Sequence, residues 1–352
     1  MIDDSQRYPQ SWDVVRRAVD ENSVGGRFIL AGSGAAPTVA PTHSGAERIV
    51  TLRMRPVTLR EHGVDTPVVS LAALLGGDRP EVQGGTTVTL EDYTTEIRAG
   101  GFPGMRHASG RAQRTALDGY LDRIVDADLP ELGVEVRRPQ TLRRWLQAYV
   151  AATATTTSYE KIRDAATAGE ANRPAKTTTI PYRDALERLW ILEPLPTWAP
   201  ISNHLARLTF APKHHLADPA LAARLTGVDA GALLRGEGPA TIPRDGTFLA
   251  ACSSRSSGSP LFAQAAEARV SHFRTKGGER EVDLIIERHD RRVAAVEVKL
   301  VDAVSDRDVR HLVWLAERIG ADLADAMVVT TGRYAYRRPD GIAVVPLALL
   351  GA

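Results

Sequence analysis

Three side chains near the C-terminal end of this 352-residue chain have the types and spacing for hydrolysis of a phosphodiester. Asp283 sits in the run EVDLIIE, and Glu297 and Lys299 sit two apart in RVAAVEVKL. Side chains alternate along a strand, so Glu297 and Lys299 share one face while Val296, Val298 and Leu300 supply the other. A charged pair on an otherwise apolar strand costs burial energy unless its face is a cleft or the charges are paired. Asp283 and Glu297 together can hold Mg2+, which polarises a phosphate and lowers the pKa of an attacking water; the Lys299 ammonium can orient that water or stabilise the developing charge. Two plainer readings stay open: a solvated surface strand with Asp283 ending a turn, and a nuclease-like fold without activity.

Those residues need a frame, and the surrounding sequence supplies one. ARVSHFRT, EVDLIIER and RVAAVEVKL are β-rich runs separated by Gly-Gly and by HDRR, which predicts a meander. The short HDRR turn makes the last two runs antiparallel and brings Asp283 to the Glu297/Lys299 face. Two carboxylates that close repel each other unless an ammonium or a metal ion lies between them. DRDVRHLVWLAERIG reads as an amphipathic helix through Val309, Leu312, Val313, Ala316 and Ile319, ended by Gly320, and DAMVVTT as a buried strand.

Upstream, the spacing predicts a helix over 11–20 with Trp12, Val15 and Val19 on one face. RFILAG (27–32) reads as a buried strand and RIVTLRMRP (48–56) as a second, in an α/β layer. Three helices follow. One carries Leu142, Trp145, Leu146 and Tyr149; one is capped by Ser158 and buries Tyr159 and Ile162; one is capped by Thr179, has Pro181 in its first turn and buries Tyr182, Leu186 and Leu189. With the Pro-rich, hairpin-like stretch after them they suggest a winged helix-turn-helix, in which Lys176, Arg183 and Arg188 would contact DNA. A helical linker between two flanking domains is the alternative.

Forty-four Lys plus Arg against 43 Asp plus Glu leave a net charge of +1, so any nucleic-acid or membrane partner must be met by a local patch. The single cysteine, Cys252, excludes an internal disulfide and a Cys-rich zinc site, and fits a reducing cytoplasm. No apolar run is long enough to span a bilayer, and MIDDSQRYPQ lacks the pattern of a signal peptide.

The order Asp, thirteen residues, Glu-x-Lys resembles the PD-(D/E)XK pattern of the restriction-endonuclease-like superfamily. The chain as a whole resembles a prokaryotic group in which an AAA-type ATPase domain is joined to a winged helix and a C-terminal domain of unknown function with that nuclease-like fold. IDDSQ (2–6), FILAGS (28–33), GGFPG (100–104), YLDRIVDADL (120–129), EVDLIIE, AVEVKL and VRHLVWL (309–315) carry the resemblance. It implies an α/β multidomain protein: a partial AAA-type domain over 1–130, a winged helix over 131–212 and a restriction-endonuclease-like domain over 213–352. It also implies that Asp3 and Asp4 end a Walker B strand, whose acids bind Mg2+, and that Ser33 is a sensor residue.

Two departures qualify this expectation. No G-x-x-x-x-G-K-[ST] string exists here, so the phosphate-cradling loop and its lysine are missing, and ATP is not an expected ligand. The chain is expected to start past that loop, as a truncated or decayed copy. ACSSRSSGSPL (251–261) also stands where the family has an apolar helix whose Glu resembles a third carboxylate of the site, with Glu267 as a candidate replacement. The expectation is therefore a protein that does not hydrolyse ATP by itself, with a nuclease-like C-terminal domain of weak or no activity. Mg2+ is its candidate cofactor and DNA its candidate partner. A Mg2+-dependent DNA endonuclease and a DNA-binding or protein-interaction module are the alternatives.

Overall fold

The computed structural model describes residues 1–3, 5, 8, 10–22, 24–32, 48–108, 110–167, 176–199, 210–236 and 268–351, the side chains of 176–178 excepted. It is a mixed α/β structure in which helices surround a mostly antiparallel seven-stranded sheet.

The N-terminal helix α1 (Gln10–Glu21) forms as expected and buries Val15. The two strands expected beside it do not form. Residues 27–32 make one parallel bridge, Ile2 to Leu30, and leave Ile29 62% exposed. In 48–56 the alternation is real but its sense is reversed. Arg53 and Arg55 turn inward to Glu193 Oε1 at 3.0 and 2.9 Å, and Val50, Leu52 and Met54 face solvent.

The next stretch belongs to the sheet. Strand β1 (Val69–Ser70) leads into helix α2 (Leu71–Gly76), capped by Ser70 Oγ on Ala73 N, and strand β2 (Gly84–Gly85) precedes helix α3 (Leu90–Ala99), which opens on a Thr89/Asp92 capping box. Leu71, Leu74, Leu75, Val82 and Tyr93 pack against Leu284, Ile286, Val296, Met327 and Val345. Polar clamps reinforce this packing: Arg288 and Arg292 donate to the last carbonyls of α2, Leu75 O and Gly76 O, at 3.1 Å each. Tyr93 Oη accepts from Ala348 N at 3.0 Å.

A helical body comes next. It comprises α4 (Pro103–Arg106), α5 (Gly110–Arg123) running through a π-turn (Ile124–Asp128) into α6 (Leu129–Glu131), α7 (Pro139–Ala151), α8 (Tyr159–Ala166), α9 (Lys176–Arg188), α10 (Pro219–Thr226) and α11 (Ala230–Leu234). Leu142, Trp145, Leu146 and Tyr149 are buried on the face their spacing dictates, and Ser158 Oγ caps α8 by accepting from Lys161 N. Helix α9 begins a turn earlier than Thr179, so Pro181 lies inside it and withholds one backbone donor. After α9, antiparallel bridges Leu192 to Leu216 and Leu195 to Lys213 join residues 191–197 to 213–217.

GGFPG is a packing device. Gly100 adopts φ +71°, where a Cβ would meet Ala220 Cβ at 2.8 Å, and a Cβ on Gly101 would lie 2.5 Å from Val57 O. This close approach lets Asp218, fully buried, accept from Gly101 N and Ala220 N at 2.7 Å each.

The C-terminal part is the predicted meander, β3 (Arg269–Arg274), β4 (Glu281–Glu287) and β5 (Val293–Lys299). Helix α12 (Asp306–Ile319) crosses to β6 (Leu323–Thr330), and β7 (Tyr334–Arg337), β8 (Ala343–Pro346) and β9 (Leu350–Gly351) complete the chain. The sheet order is β2-β7-β8-β6-β5-β4-β3, with β5, β6 and β8 mutually parallel and the outer pairs antiparallel; β1 pairs with β9 apart from it. Both faces are covered, one by the 57–99 stretch and the other by Val309, Leu312 and Leu315 of α12. Val313, expected in that helix's buried stripe, is 36% exposed, and Leu315 takes its place. Buried residues of 59–93 thus share a core with the C-terminal sheet, and a second core gathers helical residues from Ile97 to Leu233.

Candidate functional site

The site is built where β4 and β5 leave their ladder. Regular pairing runs from Glu287–Val293 to Leu284–Val296, so Asp283 and Glu297 occupy the next register position. On the other side of β4, Ser271 pairs with Ile285 and Phe273 with Val282, which sets two residues, Asp283 and Leu284, opposite His272 alone. A bulge of this kind re-aims a side chain. Here it turns Asp283 so that its Oδ2 accepts from Val298 N at 3.1 Å.

Glu297 alternates with Val293 and Ala295 and faces α12, where it is 3% exposed. Its Oε2 accepts from Lys299 Nζ at 2.8 Å, while Oε1 is buried with no hydrogen-bond partner among the described residues. His311 Nδ1, on α12, lies 4.0 Å from that Oε1. Its Nδ1 lies 2.7 Å from Glu281 O, and its Nε2 accepts from Arg310 Nε at 2.9 Å. Asp283, Glu297 and Lys299 therefore lie together at this end of the two strands.

The reading of the sequence missed the second cation. Lys213, 2% exposed, places its Nζ 2.7 Å from Glu281 Oε1 and 3.0 Å from Asp283 Oδ1. The string KHHL (213–216) carries no periodic signal that would mark a lysine as buried. Glu281, two residues before Asp283, could have been found by strand spacing. His272 completes the rim, its Nε2 2.9 Å from Thr197 Oγ1.

Electrostatics sort these groups. Burial, followed by the adjacent Asp283 charge, pushes Glu297 up to about 8 against the pull of Lys299. Burial also acts to raise Asp283, but the Lys213 and Lys299 ammoniums and the Val298 N–H outweigh it and hold that carboxyl well below the usual range. Burial opposes the charge of both lysines, and their carboxylate partners overcome it and raise them. Burial and the nearby Lys213 bring His272 down to about 4.

As folded, the donor set does not fit a divalent ion. Both Asp283 oxygens and Glu297 Oε2 already accept from protein groups, and no cluster of three or more His, Cys, Asp or Glu among the described residues is arranged to hold a metal. The expected metal pair Asp283 and Glu297 is present as a pair of ion-paired or proton-bearing acids.

Of the remaining candidates, those among the described residues lie outside this cluster. Asp3 is exposed beside the Ile2–Leu30 bridge, and Asp4, Ser33, Glu267 and the segment 251–261 lie outside the described residues. Arg183 is drawn to its own helix by Asp184 at 2.8 Å and Glu187 at 3.7 Å, and lies 4.8 Å over the Tyr159 ring. Arg188 is exposed, and the Lys176 side chain is outside the description. Among the described residues no helix is long and apolar enough to cross a membrane.

Residues 90–232 match a family described as domain of unknown function DUF8612, and 259–350 match domain of unknown function DUF4143. The chain is 25% identical over 347 residues to uncharacterized proteins of Mycobacterium bovis and Mycobacterium tuberculosis, covering 98% of this chain and 67% of each relative. No solved structure matches it. Lys213 lies in the first matched region and its counterions Glu281 and Asp283 lie in the second, so the site straddles the two.

Proposed function

We propose that the C-terminal sheet is a restriction-endonuclease-like module of weak or no hydrolytic activity in a DNA-associated protein with an AAA-type segment, and that residues 1–352, which hold no phosphate-loop string, do not hydrolyse ATP by themselves. The observation that carries this reading is the meeting of Asp283, Glu297 and Lys299 at the bulged end of β4 and β5, just before the crossover through α12 to parallel β6. The general association of DUF4143 with AAA proteins supports the wider context. The three helices α7 to α9 and the bridges that follow them support the winged-helix reading. The self-paired Arg183 argues against that helix as the main DNA contact.

Weak activity follows from the state of the groups. Hydrolysis needs a general base or an activated water beside the phosphate. Near neutral pH Glu297 keeps its proton and can donate a hydrogen bond to a phosphate oxygen, while Lys299 supplies positive charge. Asp283, held as an anion, is tied to Lys213 and is poorly placed to serve as base. Such a site can hold and orient a phosphate better than it can cleave one.

The test is cleavage of supercoiled plasmid by the full chain with Mg2+ or Mn2+, and with chelator. The expected result is cleavage no faster than that of the Asp283→Asn variant. Rapid, chelator-sensitive cleavage lost in that variant would establish the endonuclease alternative. For nucleotide, calorimetry should find no MgATP affinity tighter than about 1 mM, or about 4 kcal/mol of binding.

A further inference from the structure

An ammonium as deeply buried as that of Lys213 must be paired, and the way it is paired crosses the molecule. Its backbone is tied to the segments that follow α7 and α9. Lys213 N donates to Leu195 O at 3.0 Å and Leu195 N to Lys213 O at 2.8 Å. His214 N donates to Thr155 O at 3.1 Å and Ala154 N to His214 O at 2.8 Å, while Glu193 N donates to His215 O at 2.8 Å. His214 is also wedged between the Tyr149 and Tyr159 rings, at 4.9 and 5.0 Å. Both counterions, Glu281 and Asp283, are on β4 of the sheet.

We propose that Lys213 is the resident cation of this site, a plug carried by the helical body that fills the place between the sheet's carboxylates and keeps divalent metal out. An oxygen-bound Mg2+ sits about 2.1 Å from its ligand. With Lys213 Nζ 3.0 Å from Asp283 Oδ1, an ion bound to that oxygen could stand no farther than about 5 Å from the ammonium, and would meet it as a like charge. The other carboxylate oxygen accepts the Val298 N–H. Metal therefore enters only if Lys213 withdraws from a place that is closed over at the sheet edge, where the neighbouring segment is held by Trp198 N donating to His272 O and His272 N to Pro196 O at 2.7 and 2.9 Å. The inference rests on the nuclease-like reading only for its choice of probe ion.

The experiment is a Mn2+ titration of the full chain followed by electron paramagnetic resonance, with no nucleic acid present. The wild type should bind Mn2+ no tighter than about 1 mM. Lys213→Ala should bind at least about ten-fold tighter, and the Lys213→Ala/Asp283→Asn double variant should lose that gain. Circular dichroism and a cooperative melt establish that each variant is folded, and Lys213→Met, which keeps the aliphatic stem, takes the place of Lys213→Ala if the latter is not. Micromolar Mn2+ binding by the wild type, lost in Asp283→Asn, would overturn the proposal, as would folded Lys213 variants that bind no tighter than the wild type. Micromolar Mn2+ binding by the wild type counts against the plug whether or not a Lys213 variant folds. A failed plug with no plasmid cleavage and a sound plug with cleavage by another site are distinct results, so the two readings fall separately.

Discussion

Strings of similar pattern meet opposite fates in the two ends of this chain. DAMVVTT and RVAAVEVKL become central strands with nearly every residue buried, whereas RFILAG and RIVTLRMRP form no ladder and leave Ile29, Val50, Leu52 and Met54 exposed. Local composition does not separate them. What differs is company: β6 has β5 on one side and β8 on the other, α12 over one face and the 57–99 stretch over the other. An apolar run becomes a strand through cross-strand and facing partners, and the described part of the N-terminal end supplies only the Ile2–Leu30 bridge.

The comparison is broken most strongly by attacking what holds the sheet's partners in place. Arg337 binds buried Asp325 through two bonds of 3.0 Å and reaches Pro80 O at 2.8 Å, so it joins β6, β7 and the segment before β2. Arg337→Ala should cost about 3–5 kcal/mol, because it strands a buried carboxylate. Denaturant melts will check this. Asp218→Ala removes the acceptor shared by Gly101 N and Ala220 N and should cost about 1–3 kcal/mol, loosening the join between α3 and α10.

A pH-dependent effect tests the site. Below about pH 4.5 Glu297 is protonated whether the chain is folded or not, and it contributes no pH dependence. From there up through about pH 8 the unfolded chain releases a proton that the folded one keeps, so stability falls as pH rises. Asp283 works in the opposite sense, its stabilisation being present above its ordinary value of 3.8 and lost on further acidification. Glu297→Gln should flatten the alkaline fall in melts at pH 5, 7 and 9, and an unchanged slope would show that another group causes it. The smallest effect is expected at the N-terminal end, where Leu52→Ala should change stability by no more than about 0.5 kcal/mol.

Much of the sheet was legible because its signals are local. The two strands around HDRR, the helix ended by Gly320 and the shared face of Glu297 and Lys299 follow from periodicity and turn chemistry. Two features were not legible. The docking of 57–99 onto the sheet depends on contacts more than 200 residues apart in sequence, such as Arg288 to Leu75 O. The burial of Lys213 is set by carboxylates some seventy residues downstream, and no spacing rule connects a lysine in KHHL to a bulge at Asp283. A long charged side chain is ordinarily read as solvated, and only its partners reverse that reading.

The central claim is that the Asp283 site carries its own cation. Its most direct measurement is the anomalous difference density of crystals of the full chain soaked in Mn2+. The account predicts the Lys213 ammonium between Glu281 and Asp283 with no anomalous peak beside it. A peak about 2.2 Å from oxygens of both Asp283 and Glu297, with Lys213 turned away, would contradict it.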